Sequence, residues 1–128
     1  MENSKVTSAD GHIFNGKTEG RIQSDCVMWL WNEHPETRGF LCYNLGNSKN
    51  AIDGARNKAM GLVPGRSDLT FYWNRTAYFL ECKDSTGAQS TNQKEWQKKV
   101  EAAGFEYHLF RSFREFQLII NRIINLKN

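Results

Sequence analysis

Three residues, Asp68, Glu81 and Lys83, combine the side-chain types and spacing that metal-assisted chemistry requires. They fall in two strand-like runs, residues 68–73 and 76–83, on either side of Asn74-Arg75. That pair suits a two-residue hairpin turn, although less well than Asn-Gly. If Trp73 pairs with Thr76, Asp68 lies directly across from Glu81, and the two-residue period of a strand puts both on one face. Lys83, two residues beyond Glu81, shares it. Directly opposed Cβ atoms sit about 4.5–5.5 Å apart, where two carboxylates repel unless positive charge lies between them. Magnesium answers that need, because it takes oxygen ligands at about 2.0–2.1 Å and uses one or two protein carboxylates. The backbone carbonyl of Cys82 could add another oxygen. Such a cation acidifies a bound water, and Lys83 beside it would orient a nucleophile or stabilise developing negative charge. An isolated Glu-x-Lys is more often a surface ion pair. Here Tyr78, Phe79 and Leu80 make the strand apolar and central, where acids without partners are costly.

The elements that must hold these residues follow from periodicity and caps. Residues 1–17 are polar and glycine-containing and read as a flexible arm. Thr18 can cap a helix in which Ile22, Cys26, Trp29 and Leu30 recur at helical spacing until Pro35. A short strand over 39–44 and a weaker, polar helix or loop over 48–60 come next, the latter ending at Gly61. After the hairpin, residues 84–90 form a loop, and Thr91 caps a helix that runs to about 103 and stops at Gly104. Residues 105–110 alternate as a strand. Ser112 caps a last helix with Phe113, Phe116, Ile120 and Ile123 along one face. The order is α-β-α-β-β-α-β-α, a single α/β domain over 18–128 with a central mixed sheet flanked by helices.

With 128 residues, 39% of them hydrophobic and 24% charged, the chain can form one core but not two. Its net charge of +3 permits a polyanionic partner. Cys26, Cys42 and Cys82 are odd in number and widely spaced, which argues against a disulfide framework or a zinc site and for a reducing compartment. No apolar run reaches membrane-spanning length and no signal-peptide core is present, so a cytoplasmic location is expected.

Residues 61–68, Gly-Leu-Val-Pro-Gly-Arg-Ser-Asp, followed by Glu81-Cys82-Lys83 and then Gln93, resemble the PD-(D/E)-x-K nuclease superfamily. Within it the chain is most similar to the virus-type replication-repair nuclease (VRR-NUC) family, from about Glu19 to Ile120. Glu19 to Gln23 resembles that family's opening helix, Gly87, Ser90 and Gln93 its later segment, and Phe110-Arg111-Ser112-Phe113 its strand-to-helix junction. Ser67 departs from the proline that often precedes the aspartate, with loss of rigidity but of no ligand.

The resemblance implies a restriction-endonuclease-like fold and hydrolysis of DNA phosphodiester bonds with Mg2+ or Mn2+ to leave 5′-phosphates. It makes Asp68 and Glu81 metal ligands, Lys83 the catalytic lysine, Glu19 a further acid near the metal, and Gln93 an orienting group. Without it, Glu19 would be an ordinary acidic partner of a helix dipole and Gln93 a surface residue. Arg66, Lys94 and Lys98 are the expected phosphate contacts. Stand-alone members of the family include homodimers acting on branched DNA such as Holliday junctions, which suggests the same here, in a bacterial cell or phage-infected host. Trp29, Trp31 and the apolar last helix hint at a dimer but suit a core equally well. The alternatives are a flap or single-strand nuclease subunit and a catalytically inert DNA-binding module. No organic cofactor and no membrane partner are expected. His12, His34 and His108 lack metal-ligand spacing and read as structural or solvated.

Overall fold

The computed structural model describes residues 6–7, 13–14, 18–44 and 51–126. His12, Lys49 and most of the expected 1–17 arm lie outside the described residues. Within that arm, β1 (Val6–Thr7) and β2 (Ile13–Phe14) form a two-stranded antiparallel ladder. The rest follows the expected order: α1 (Glu19–Glu33), β3 (Leu41–Tyr43), α2 (Ala51–Ala59), β4 (Leu69–Trp73), β5 (Thr76–Cys82), α3 (Thr91–Ala102), β6 (Glu106–Phe110) and α4 (Phe113–Ile124). β3, β4, β5 and β6 line up in that order in one mixed sheet, with β3–β4 and β4–β5 antiparallel. No helix among the described residues is long and apolar enough to cross a membrane.

Within this α/β fold the residues gather into two compact units. The first comprises Met1–Gly39, Cys82–Ala88 and Leu109–Asn128. Thr18 starts α1 as expected, its hydroxyl accepting the Arg21 N–H. Ile22, Cys26 and Leu30 then recur on one buried face. Ser112 starts α4 in the same way, and Phe116, Ile120 and Ile123 are buried along it. α1 packs on α4, with Trp29 set edge-on to Phe113 and Phe116. The apolar surplus that hinted at a dimer is therefore largely spent inside this unit, while Trp31 stays 53% exposed beneath the Arg38 guanidinium.

The second unit comprises Phe40–Glu81 and Gln89–His108. Its hairpin turns at Asn74 and Arg75, whose φ values of 53° and 62° are both left-handed, as a two-residue type I′ turn demands. Trp73 pairs with Thr76 as the turn length predicts, and the same register continues to Leu69↔Leu80. One face stacks Phe71 on Trp73 and sets Phe71 against Tyr78. The other turns Phe79 edge-on to Trp96 of α3, and strand alternation puts Glu81 on the Phe79 side. Tyr78, Leu80, Glu81 and Cys82 are buried, as expected for a strand with a neighbour on each side.

Several boundaries shift for identifiable reasons. Asp68 lies just outside β4, because its carbonyl accepts the Asn44 N–H and the chain bends there. Lys83 lies just beyond β5, although its N–H still reaches the Phe110 carbonyl. Ser90 rather than Thr91 caps α3, in a reciprocal capping box with Gln93. The strands expected at 39–44 and 105–110 are trimmed to Leu41–Tyr43 and Glu106–Phe110. The ambiguous 48–60 segment is helical over Ala51–Ala59.

Gly65, in the approach to Asp68, has φ +85°, and a Cβ there would lie 2.4 Å from the backbone C and O of Asn92. Glycine is thus required both for the backbone conformation and for close packing on the start of α3. Gly65→Ala is expected to destabilise the protein by about 2–5 kcal/mol, summing left-handed strain and overpacking. An unchanged urea unfolding midpoint would contradict this contact.

Candidate functional site

In the second unit, chemistry collects where the hairpin ladder ends. Beyond Leu69↔Leu80 come Asp68 and Glu81, the two acids predicted to oppose each other. Asp68 is fixed through its backbone: the Asn44 N–H reaches its carbonyl at 2.8 Å, and Asn44 Nδ2 donates to the Ser67 carbonyl at 3.1 Å and to Thr70 Oγ1 at 2.9 Å. The buried Ser67 hydroxyl donates to the Leu69 carbonyl at 3.0 Å. Ser67, where the related pattern carries proline, thus stiffens this approach by hydrogen bonding instead.

Glu81 has no exposed surface. Its Oε1 accepts hydrogen bonds from the Tyr107 hydroxyl and from Gln89 Nε2, the latter at 3.1 Å. Gln89 Nε2 also donates to Gln97 Oε1 at 2.9 Å, and Gln97 Nε2 donates to Glu101 at 3.2 Å. Gln97 of α3 thereby orients the Gln89 amide, and Glu101 orients Gln97. Burial raises the Tyr107 pKa far above its usual range, and the hydrogen bond to Glu81 and the negative charges of Glu81 and Asp68 add to the effect. Tyr107 donates its hydroxyl to Glu81, and the Asp68 charge has the smallest effect on it.

Oxygen donors of this kind fit a hard divalent cation such as Mg2+ or Mn2+. Among the described residues no three His, Cys, Asp or Glu side chains form a metal-binding group. A cation held by two carboxylates, a backbone carbonyl and water needs no third side chain.

The first unit carries a separate polar cluster. Glu19 opens α1, and its carboxylate borders Gly87: a Cβ on Gly87 would lie 3.4 Å from Glu19 Oε2, 3.1 Å from Asp84 Oδ1 and 3.5 Å from Lys83 Cδ. Asp84 Oδ1 accepts the N–H groups of Gly87 at 2.6 Å and Thr86 at 3.0 Å. Arg111 Nη1 ties the loop shut, donating to the carbonyls of Asp84 at 2.8 Å and Gly87 at 2.6 Å. The backbone donors of Thr86 and Gly87 hold the Asp84 carboxyl below its ordinary pKa, with the Arg111 charge adding less. Glu19 and Lys83 thus converge on one loop.

The other expected residues fall as follows. Gln93 Oε1 accepts the Ser90 N–H, completing the cap of α3, and it is Gln89 that reaches Glu81. Lys94 and Lys98 are exposed on α3 one turn apart, and Arg66 is half-buried in the approach to Asp68. His34 contacts Glu36 and Trp29, and His108 contacts Glu106. Tyr107 and Asn44 escape sequence reasoning because their partners lie 23 to 26 residues away, and Gln89 and Gln97 because their eight-residue spacing fits no local motif. Asp84-Ser85-Thr86-Gly87 carries a local signal, that of an aspartate bonding the backbone two residues on.

Known proteins support the architecture. No protein-family model matches the chain, and no curated protein does. A solved structure described as a VRR_NUC domain protein matches with a TM-score of 0.72, at 20% identity, covering 88% of this chain and 93% of its own. The chain has the fold of a VRR_NUC domain, as the motif order implied.

In a carboxyl NMR titration, Asp84 is expected to ionise below the ordinary aspartate pKa of about 3.9. Because the backbone donors are the larger cause, Arg111→Ala should recover only a minor part of that shift. Full recovery would make Arg111 the dominant cause instead. Any stability tied to Asp84 ionisation is present above the unfolded-state pKa and lost as pH falls through the folded one.

Proposed function

We propose that this protein is a metal-dependent nuclease that hydrolyses DNA phosphodiester bonds, with Asp68, Glu81 and Lys83 at its chemical centre. The observation that carries this reading is the buried, hydrogen-bonded Glu81 beyond the last pair of the hairpin ladder, within a fold shared with a VRR_NUC domain protein. Burying a carboxylate costs several kcal/mol, and a bound cation would offset that cost.

Asp68, Glu81 and the Cys82 carbonyl would hold Mg2+ or Mn2+, with Glu19 as the further acid. Bound there, the metal supplies an acidified water and neutralises phosphate charge. Lys83 contributes a positive charge that orients the nucleophile and stabilises the negative charge developing on the phosphate. Gln93, by capping α3, keeps the loop before that helix in place. Arg66, Lys94 and Lys98 contact backbone phosphates and position the substrate without reading its bases.

The preferred substrate in this reading is branched DNA such as a Holliday junction, cut by a homodimer whose twofold axis sets two sites at a defined separation. The sequence resemblance supports it, as do Met28 and Trp31, which stand three residues apart on α1 and are 63% and 53% exposed. These side chains remain available to a second copy.

Labelled linear duplex, flap and four-way junction DNA, incubated with Mg2+, Mn2+ or EDTA, tests the proposal. Metal-dependent cutting of the junction is expected. Cutting of the flap alone would point to a flap nuclease, and binding without cutting to an inert DNA-binding module. Lys83→Ala and Glu81→Gln should each slow cleavage by about 10²–10³-fold, the loss typical of removing one transition-state partner. Full activity in either variant would refute the site. Lys94→Ala with Lys98→Ala should weaken binding evenly across sequences and lower the salt slope by about 0.9 per lost phosphate contact. An unaltered slope would remove these lysines from the phosphate path.

A further inference from the structure

We propose that Tyr107 and Gln89 form a positioning pair that fixes the Glu81 carboxylate for a divalent cation. This inference rests on the nuclease reading and extends it to two residues that no motif marks. Both side chains donate to the same atom, Glu81 Oε1, from different segments of the second unit: Tyr107 from β6 and Gln89 from the loop before α3. Two donors on one oxygen fix the rotation of the carboxylate about its terminal bond, a broad, weakly restrained torsion when left alone.

Neither donor carries charge. Tyr107 and Gln89 therefore orient the carboxylate without themselves neutralising it, whereas an arginine in their place would compete with the metal. The pair is itself held in place. Gln97 Oε1 takes the Gln89 amide at 2.9 Å and is oriented in turn by Glu101, and the Tyr107 ring lies against Trp96, with centroids 6.0 Å apart. α3 thus restrains both donors, and the geometry at Glu81 does not depend on loop residues alone.

The test measures Mn2+ affinity of the folded, full-length protein by EPR, with no DNA and no turnover. Tyr107→Phe and Gln89→Ala are each expected to weaken Mn2+ binding by about 10-fold, the lower end for groups that orient a metal ligand. Because both act through Glu81, adding either change to Glu81→Gln should cost no further affinity. A merely structural role would lower the urea midpoint yet leave the Mn2+ affinity of the folded protein unchanged. Gln89→Ala alters a half-buried loop side chain, so it stays informative even if Tyr107→Phe fails to fold. If Glu81→Gln weakens Mn2+ binding while Tyr107→Phe and Gln89→Ala do not, the positioning role is overturned and the nuclease reading stands. If Glu81→Gln itself binds Mn2+ like the parent protein, the metal site falls and the positioning role with it.

Discussion

The polar architecture of the second unit depends on one buried polar group, the side-chain carboxyl of Glu81. A carboxyl without exposed surface loses its hydration, a cost that hydrogen-bond partners must offset. Tyr107 and Gln89 replace part of the lost water, and Gln97 and Trp96 hold those two in turn. Both donors are neutral, so neither of them would compete with a cation for the carboxylate.

The acid reaches its position by backbone geometry. Two left-handed residues at the hairpin tip set Trp73 against Thr76, and the antiparallel ladder carries that register four residue pairs further, to Leu69↔Leu80. A slip of one residue would turn Glu81 to the face of Tyr78 and Phe71, where aromatic rings fill the space. Asp68 then leaves the ladder under the hold of Asn44 and Ser67. The first unit uses a different device at Lys83, a loop closed by Asp84 from within and by Arg111 from outside. In both arrangements side chains bond to backbone groups, Asn44 and Ser67 in one and Asp84 and Arg111 in the other.

Much of this was legible residue by residue. Thr18 and Ser112 announced their helices because a hydroxyl at the cap satisfies a helix N–H that has no other local partner. The hairpin register could be computed from turn length alone, since a two-residue turn leaves a single pairing. Less legible were the ends. Ser90 took the cap expected of Thr91 because Gln93, three residues on, closes a capping box with it. Asp68 fell outside its strand where its carbonyl takes the Asn44 N–H and the chain bends, and Lys83 fell just beyond β5 although its N–H still reaches Phe110. Gln93, expected to orient groups around the site, has its side-chain oxygen at the cap of α3.

What the sequence determined by itself was therefore local: helix caps, strand alternation and the hairpin register. These depend on interactions spanning a few residues, or on a turn whose length admits one pairing. Only the tertiary structure decided which groups surround Asp68 and Glu81. Tyr107 reaches Glu81 across 26 positions of chain and Asn44 reaches Thr70 across 26, separations at which neither periodicity nor spacing carries a signal. Long-range polar contacts answer to the packing that brings two segments together, and the buried carboxylate acquires its partners only once that packing exists.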